Sequence, residues 1–308
     1  MKTKHAYICV PWTKLLRYRC IFILAYCLSW ITKPCTQVFH KYKLAKSLSR
    51  SSKIYLVLQP GKVASRSVIS FLKSAGVQEP VFHLHYISET QVALEQHGPL
   101  GRYLLFPQIS SYDFLSKSLK TFAMNGGEIN IVCGVRDPWS RCRSAFLQNL
   151  DSILLYDSKN TFIRSPNKIS LSSGELRDLF INKFNFKFNI TWFDQVLLPL
   201  TGINVFQYPF PIDKGSLCIS KENFNIFLYR FDQIENCQIS KMLNCFLGPS
   251  FQTTQMLIVN EVSAEKQPLK TLIESLEIPD SISAYFASSQ LARHFFSAEE
   301  ITKFISNK

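Results

Sequence analysis

The stretch IYLVLQPGKVASRSVISFL, residues 54–72, constrains this chain more than any other. Residues 54–58 are an unbroken apolar, β-rich run, suited to a parallel strand buried on both faces. Pro60-Gly61 ends it, and from 67 to 74 apolar residues return at helical spacing, stopping near Gly76. A strand that turns tightly into a helix leaves backbone N–H groups facing the turn, at the positive end of the helix dipole. Lys62 adds a point charge there, and Ser65 and Ser67 add hydroxyl donors beside Arg66. The turn reads as an anion cradle, the plain alternative being a polar turn with an exposed lysine. It is not a Walker A loop: the lysine follows Gly61 at once and no second glycine precedes it.

A second stretch, VRDPWSRCRSAFLQN at 135–149, has the same logic. INIVCGV (129–135) reads as a buried strand, and Arg136 follows its end, where an open α/β sheet binds ligands. Asp137 is placed to cap the next helix (139–150), Pro138 suits its first turn, and Ser144 lies eight residues beyond Arg136. An arginine there forks onto a phosphate while a serine donates a hydroxyl. The alternative is an N-capped helix with a surface arginine.

The rest of the chain alternates in the same way. Residues 81–87 (VFHLHYI) read as a strand with His83 and His85 on one face by period two. Helical and loop material fills 90–125, and a polar loop spans 157–173. INVFQY (203–208) and NIFLYRF (225–231) read as further strands. The C-terminal third reads as helical, with Ser297 and Glu300 at capping-box spacing. This order predicts a mainly parallel α/β sheet covered on both faces, with residues 51–308 as one domain.

Charge is unevenly placed. Of the net +13, residues 1–50 carry +10, with ten Lys/Arg and no acid, and the remaining 258 residues carry only +3. A nucleic-acid partner is disfavoured, because a duplex binder spreads its basic residues over the folded surface. Residues 20–32, CIFILAYCLSWIT, are apolar between basic flanks but short of the ~20 residues that span a hydrocarbon core. The extension reads as a signal anchor or interfacial helix, as a cleaved targeting segment, or as a helix packed on the domain. Nine cysteines form no CxxC and no Cys/His cluster, so no metal is expected. Asn189-Ile190-Thr191 is a lone sequon.

Taken together, PGKVASRS and RDPWSRCRSAF, with Arg136 74 residues after Lys62, resemble the sulfotransferases that use 3′-phosphoadenosine 5′-phosphosulfate (PAPS), above all the carbohydrate sulfotransferases. Residues 189–210 and the tail ARHFFSAEEITKFI resemble a branch named for capsular polysaccharide synthesis. NIFLYRFDQIENC is similar to the strand-and-acid segment of such folds, with Asp232 where glutamate is common. The resemblance implies a P-loop-type three-layer fold. It also implies a 5′-phosphosulfate loop of Lys62, Val63, Ala64, Ser65, Arg66, Ser67 and Val68, and a 3′-phosphate pair of Arg136 and Ser144. It implies sulfuryl transfer to a hydroxyl of a glycan or polysaccharide; the N-terminal segment predicts membrane association, as a Golgi-type signal anchor or at the cytoplasmic membrane face, the alternative being cytoplasmic. Lys62 is then the charge stabiliser and a histidine the base. His85, one pleat repeat nearer the strand's carboxyl end, comes before His83, which is expected to sit deeper. The rivals are a non-catalytic glycan assembly protein that keeps the fold and an ATP-dependent P-loop kinase.

Overall fold

The computed structural model describes residues 41–42, 44–88, 91, 112–156, 172–251, 255–258 and 267–306. Strand β1 (Lys53–Leu58) leads through a turn into helix α1 (Ser65–Ser74), followed by β2 (Val81–Leu84) and α2 (Tyr112–Met124). Next come β3 (Glu128–Val135), α3 (Pro138–Tyr156), α4 (Ser173–Lys183) and α5 (Phe186–Ile190). The hairpin β4 (Ser216–Lys221) and β5 (Phe224–Arg230) precedes α6 (Cys237–Leu247), α7 (Gln267–Glu274), α8 (Asp280–Ser288), α9 (Gln290–Phe295) and α10 (Ala298–Ser306).

The five strands form one sheet in the order β2-β1-β3-β5-β4, parallel except for β4. The chain leaves β1 toward one edge to make β2, then returns past β1 to make β3 on its other side. Successive crossovers therefore run in opposite directions, and a crevice opens between the carboxyl ends of β1 and β3. Alternate residues serve opposite faces. Leu56, Ile131 and Leu228 pack with Leu119 of α2 and Phe295 of α9. Val57, Val132 and Phe227 pack with Val68 and Phe71 of α1 and Leu243 of α6. Helices thus cover both faces, as the strand–helix alternation predicts. A third apolar cluster joins Phe146 of α3 and Phe180 of α4 to Ile273 and Phe286 of the C-terminal helices.

Several expected elements differ. β2 stops at Leu84 rather than at 87. Its Leu84 carbonyl is taken by the Gln59 N–H, the last backbone bond available as β1 runs out. Residues 203–208 are not a strand: the Asn204 side chain accepts the Phe206 N–H, and Val205–Gln207 closes into a 3-10 turn. Edge strand β4 was not foreseen, because Ser216, Ser220 and Cys218 give little β signal and its two-residue turn puts Glu222, not glycine, at φ 52°. α1 begins two residues earlier than expected, and α3 runs on to Tyr156. Residues 1–40 and 157–171 lie outside the described residues, so the apolar segment 20–32 and most of the polar loop are not placed. Leu44 and Leu48, in the expected extension, are buried in the first core cluster. Among the described residues no helix is long and apolar enough to cross a membrane.

One ion-paired junction ties the last helix to the sheet. Arg230, ending β5 and 1% exposed, bonds Asp232 (Nε–Oδ1 3.1 Å) and Glu300 (Nη1–Oε2 3.1 Å), and its guanidinium lies 4.6 Å from the Phe296 ring. Glu300 also accepts the Ser297 N–H at 2.8 Å, completing the expected capping box with Ser297 Oγ. Burial opposes ionisation of Glu300, but the Arg230 and Ser297 hydrogen bonds outweigh it and hold its carboxyl below the usual range. Its contribution is therefore complete above the unfolded-state value and fades as pH falls through the lower folded value. Glu300→Gln should cost about 1–2 kcal/mol at neutral pH, and the gap to the parent should close as pH falls through the acid range in denaturant titrations. A gap independent of pH would show that the carboxylate charge contributes nothing.

Candidate functional site

The turn between β1 and α1 occupies the crevice. It begins with Gln59, fully buried, whose side chain replaces backbone ladder where β1 has ended. Its Oε1 accepts the Gly134 N–H of β3 at 2.8 Å, and its Nε2 donates to the Val63 carbonyl at 3.4 Å. The Tyr229 hydroxyl, buried under the turn, donates to the same Val63 carbonyl at 2.6 Å. Burial and the neighbouring Cys133 push that phenol's pKa up, so it remains a donor. Cys133 is itself a buried thiol, raised by desolvation.

Two residues of the turn with side chains sit in the left-handed region, Lys62 (φ 70°) and Ala64 (φ 65°, ψ 40°). Left-handed residues interleaved in a turn swing successive N–H groups toward one side, the concavity that holds anions. Ala64 is also the N-cap of α1 and has no side chain that could cap it, and the helix has no acid in its first turn. Ser65 and Ser67 are buried against the domain, whereas Arg66 is exposed.

Arginines hold the turn's carbonyls from the other side. Arg136, just beyond β3, donates to the Lys62 carbonyl at 3.2 Å while its guanidinium lies 4.5 Å from the Phe231 ring. Arg141, one turn into α3 and 2% exposed, donates from Nε to the Gly61 carbonyl at 3.3 Å and from Nη1 to the Asn189 carbonyl. The Gly61 and Lys62 carbonyls are thus both held by arginines, one on α3 and one just beyond β3. Asp137 caps α3 through the Ser140 N–H at 2.7 Å, as its sequence position suggests. Burial pushes its carboxyl up, against the pull of that N–H and of Arg136. Ser144 lies half-buried on α3 and makes no side-chain hydrogen bond among the described residues, so nothing ties it to Arg136.

The two histidines meet at the same edge, their ring centroids 4.6 Å apart and nearly perpendicular. The expected depths are reversed. His83 is the exposed one, on β2; His85 lies past the strand end, half-buried, its carbonyl taken by the Trp192 indole N–H at 2.9 Å. His85 Nδ1 lies 2.8 Å from the Gln59 carbonyl, and a carbonyl only accepts, so Nδ1 carries hydrogen. The neutral ring then has its lone pair on Nε2. Desolvation lowers the His85 pKa, the Gln59 carbonyl opposes this, and the Arg141 charge adds to it. His83, although more open to solvent than His85, is still partly desolvated where its ring meets that of His85, and this pushes it down to about 4, with smaller effects from the charges of His85 and Arg66. Both rings are thus neutral near pH 7.

Gln59, Arg141 and Tyr229 were not singled out from the sequence. The first two carry a signal: a glutamine ending a buried apolar run, and an arginine inside the second motif. Tyr229 has none beyond its strand. The sequon is closed, since Asn189 is 1% exposed and its Nδ2 donates to the Asn185 carbonyl at 2.8 Å. The five described cysteines are free thiols. Compared with models of protein families, with curated proteins and with solved structures, the chain matches none.

The turn's packing makes one substitution diagnostic. A Cβ added at Gly134 would lie 2.7 Å from Tyr229 Oη, 2.8 Å from its Cζ and 3.1 Å from Val63 Cβ. These neighbours are buried and held by the hydrogen bonds above, so Gly134→Ala should destabilise by about 1–3 kcal/mol in urea titrations. Parent-like stability would mean that Tyr229 moves aside freely and does not support the turn.

Proposed function

We propose that the protein is a sulfotransferase of P-loop-type, three-layer architecture that takes PAPS as donor and a glycan or polysaccharide hydroxyl as acceptor. The observation that carries the reading is the β1–α1 turn: two left-handed residues and an uncapped helix start at the sheet's switch point, with Lys62 and Arg66 in its sequence and its carbonyls held by Arg136 and Arg141. Such a turn suits a doubly charged group better than a neutral one. The resemblance of PGKVASRS and RDPWSRCRSAF to the PAPS-dependent enzymes supplies the ligand class.

In this reading the N–H groups of residues 64–67 and the hydroxyls of Ser65 and Ser67 hold the 5′-phosphosulfate, and Arg136 with Ser144 holds the 3′-phosphate; Val68, expected in the same loop, drops out because its N–H is bonded to the Ala64 carbonyl at 3.2 Å. PAPS supplies a sulfuryl group on a good leaving nucleotide, so the protein's work is positioning and charge stabilisation. Lys62 stabilises negative charge on the leaving side. His85, its Nδ1 hydrogen committed to Gln59, presents Nε2 as acceptor for the glycan hydroxyl proton, and His83 at the mouth orients that hydroxyl. The basic residues 1–50, with their apolar segment, bring the chain to an anionic membrane surface.

Calorimetry with 3′,5′-ADP tests the donor assignment. The protein should bind 3′,5′-ADP much more tightly than ATP, and Arg136→Ala should weaken it by about 2 kcal/mol while changing 5′-AMP far less. Tighter binding of ATP would favour a kinase, and binding of neither an assembly protein without turnover. Rate assays test the chemical roles. Lys62→Ala should slow sulfate transfer ~10²–10³-fold and His85→Ala ~10²–10⁴-fold, both with the nucleotide still bound. The acid limb of the parent's kcat/KM should lie below the ordinary histidine value, because His85 is held down. If His83→Ala loses rate and His85→Ala keeps it, the base is His83.

A further inference from the structure

We infer that Arg141 is the positioning residue of this site, its guanidinium clamping the Gly61 carbonyl of the turn and the Asn189 carbonyl of α5 so that the anion-facing N–H groups and His85 keep a fixed arrangement. The inference rests on the reading of the turn as an anion site and adds a residue that neither sequence motif assigns a role.

The geometry is specific to arginine. One planar side chain, 2% exposed, reaches backbone on two elements, the turn at 59–64 and the end of α5. A lysine offers a single nitrogen and cannot hold both carbonyls in a fixed plane. The α5 end is in turn fixed from within, Asn189 Nδ2 to the Asn185 carbonyl at 2.8 Å and Asn185 Oδ1 to the Phe188 N–H at 3.1 Å. The chain then runs directly to Trp192, whose indole holds the His85 carbonyl. One guanidinium therefore stands between the anion turn and the segment that anchors the histidine.

Its charge has a second effect. His85 faces His83 on β2, the adjacent Tyr86 ring, the Gln59 carbonyl of the turn and the Arg141 charge from α3, while Arg66 of α1 acts on His83. Burial is the larger cause that disfavours the His85 imidazolium, and among these groups the fixed cation that adds to it is Arg141. Clamp and charge separate by substitution: Arg141→Lys keeps the charge and loses the clamp, and Arg141→Met loses both.

The test combines histidine NMR titration, amide hydrogen exchange and calorimetry with 3′,5′-ADP on the full chain. In Arg141→Met the His85 midpoint should rise, though it stays below the ordinary histidine value because burial remains the larger cause, while His294, on α9, stays put. In Arg141→Lys the His85 midpoint should remain low, but amides 62–66 should exchange faster and 3′,5′-ADP should bind about tenfold more weakly. Parent-like exchange at 62–66 in Arg141→Lys overturns the clamp, and this reading needs neither the Met variant to fold nor a nucleotide to bind. An unmoved His85 midpoint in a folded Arg141→Met overturns the electrostatic part. Should the parent itself fail to bind 3′,5′-ADP, the nucleotide reading falls, and titration and exchange still decide the role of Arg141.

Discussion

Lys62 and Ala64 are held in the left-handed region, where a side chain costs roughly 1–2 kcal/mol per residue relative to ordinary backbone. A turn with that cost keeps its shape only when its surroundings fix it, and here they do so at almost every carbonyl. Gly61 is held by Arg141, Lys62 by Arg136, and Val63 by Tyr229 and Gln59. Apart from Gln59, the turn's own first residue, these holders come from the segment just past β3, from β5 and from α3. The sheet order that puts β1 between β2 and β3 is what makes them converge. The turn is thus a product of the whole α/β core rather than of its own six residues, and a loop of the same sequence elsewhere would relax to ordinary dihedrals.

Much of this was legible because burial on both faces leaves a plain mark. Strands β1, β3 and β5 are largely apolar runs, broken in β3 and β5 by Asn130 and Asn225, and the residues after β1 and β3 meet at the carboxyl edge of the sheet. The polar devices of the site were not legible in the same way. Gln59 acts through its side chain as a substitute for backbone ladder, and Tyr229 acts through a hydroxyl at the end of a ring that otherwise reads as core. Neither function follows from periodicity, because both depend on which strand lies alongside. The misjudged elements share a cause. Asn204 turned a β-rich segment by bonding its own backbone, and Glu222 took a turn conformation usually left to glycine or asparagine. Local side-chain chemistry and tertiary pairing overrode propensity in each case.

His83 and His85 show how a correct pairing can carry a wrong depth. Period two rightly put them together, but it assumed that β2 continued through 87. The strand instead ends where Gln59 takes the Leu84 carbonyl, and the chain turns so that His85 swings under the β1 turn while His83 stays at the edge. The ring with the fixed hydrogen is therefore the more enclosed one. That arrangement suits a base better than an exposed ring would, since its tautomer is set by a backbone carbonyl that does not rotate.

Burial is the main reason both histidines are neutral, and the charges around the turn add to it. Arg141 adds to the lowering of His85 and Arg66 to that of His83, and the buried carboxylate of Asp137 is committed to the Ser140 N–H rather than to the turn. An anion seated in the turn offsets part of that positive field, and by linkage the affinity it gains from the site reappears as a higher histidine pKa. If the turn seats a multiply charged anion as proposed, the nearby ring becomes a somewhat stronger proton acceptor when the site is occupied. Proton affinity and anion occupancy would then be linked through the field of the turn, with no moving part required.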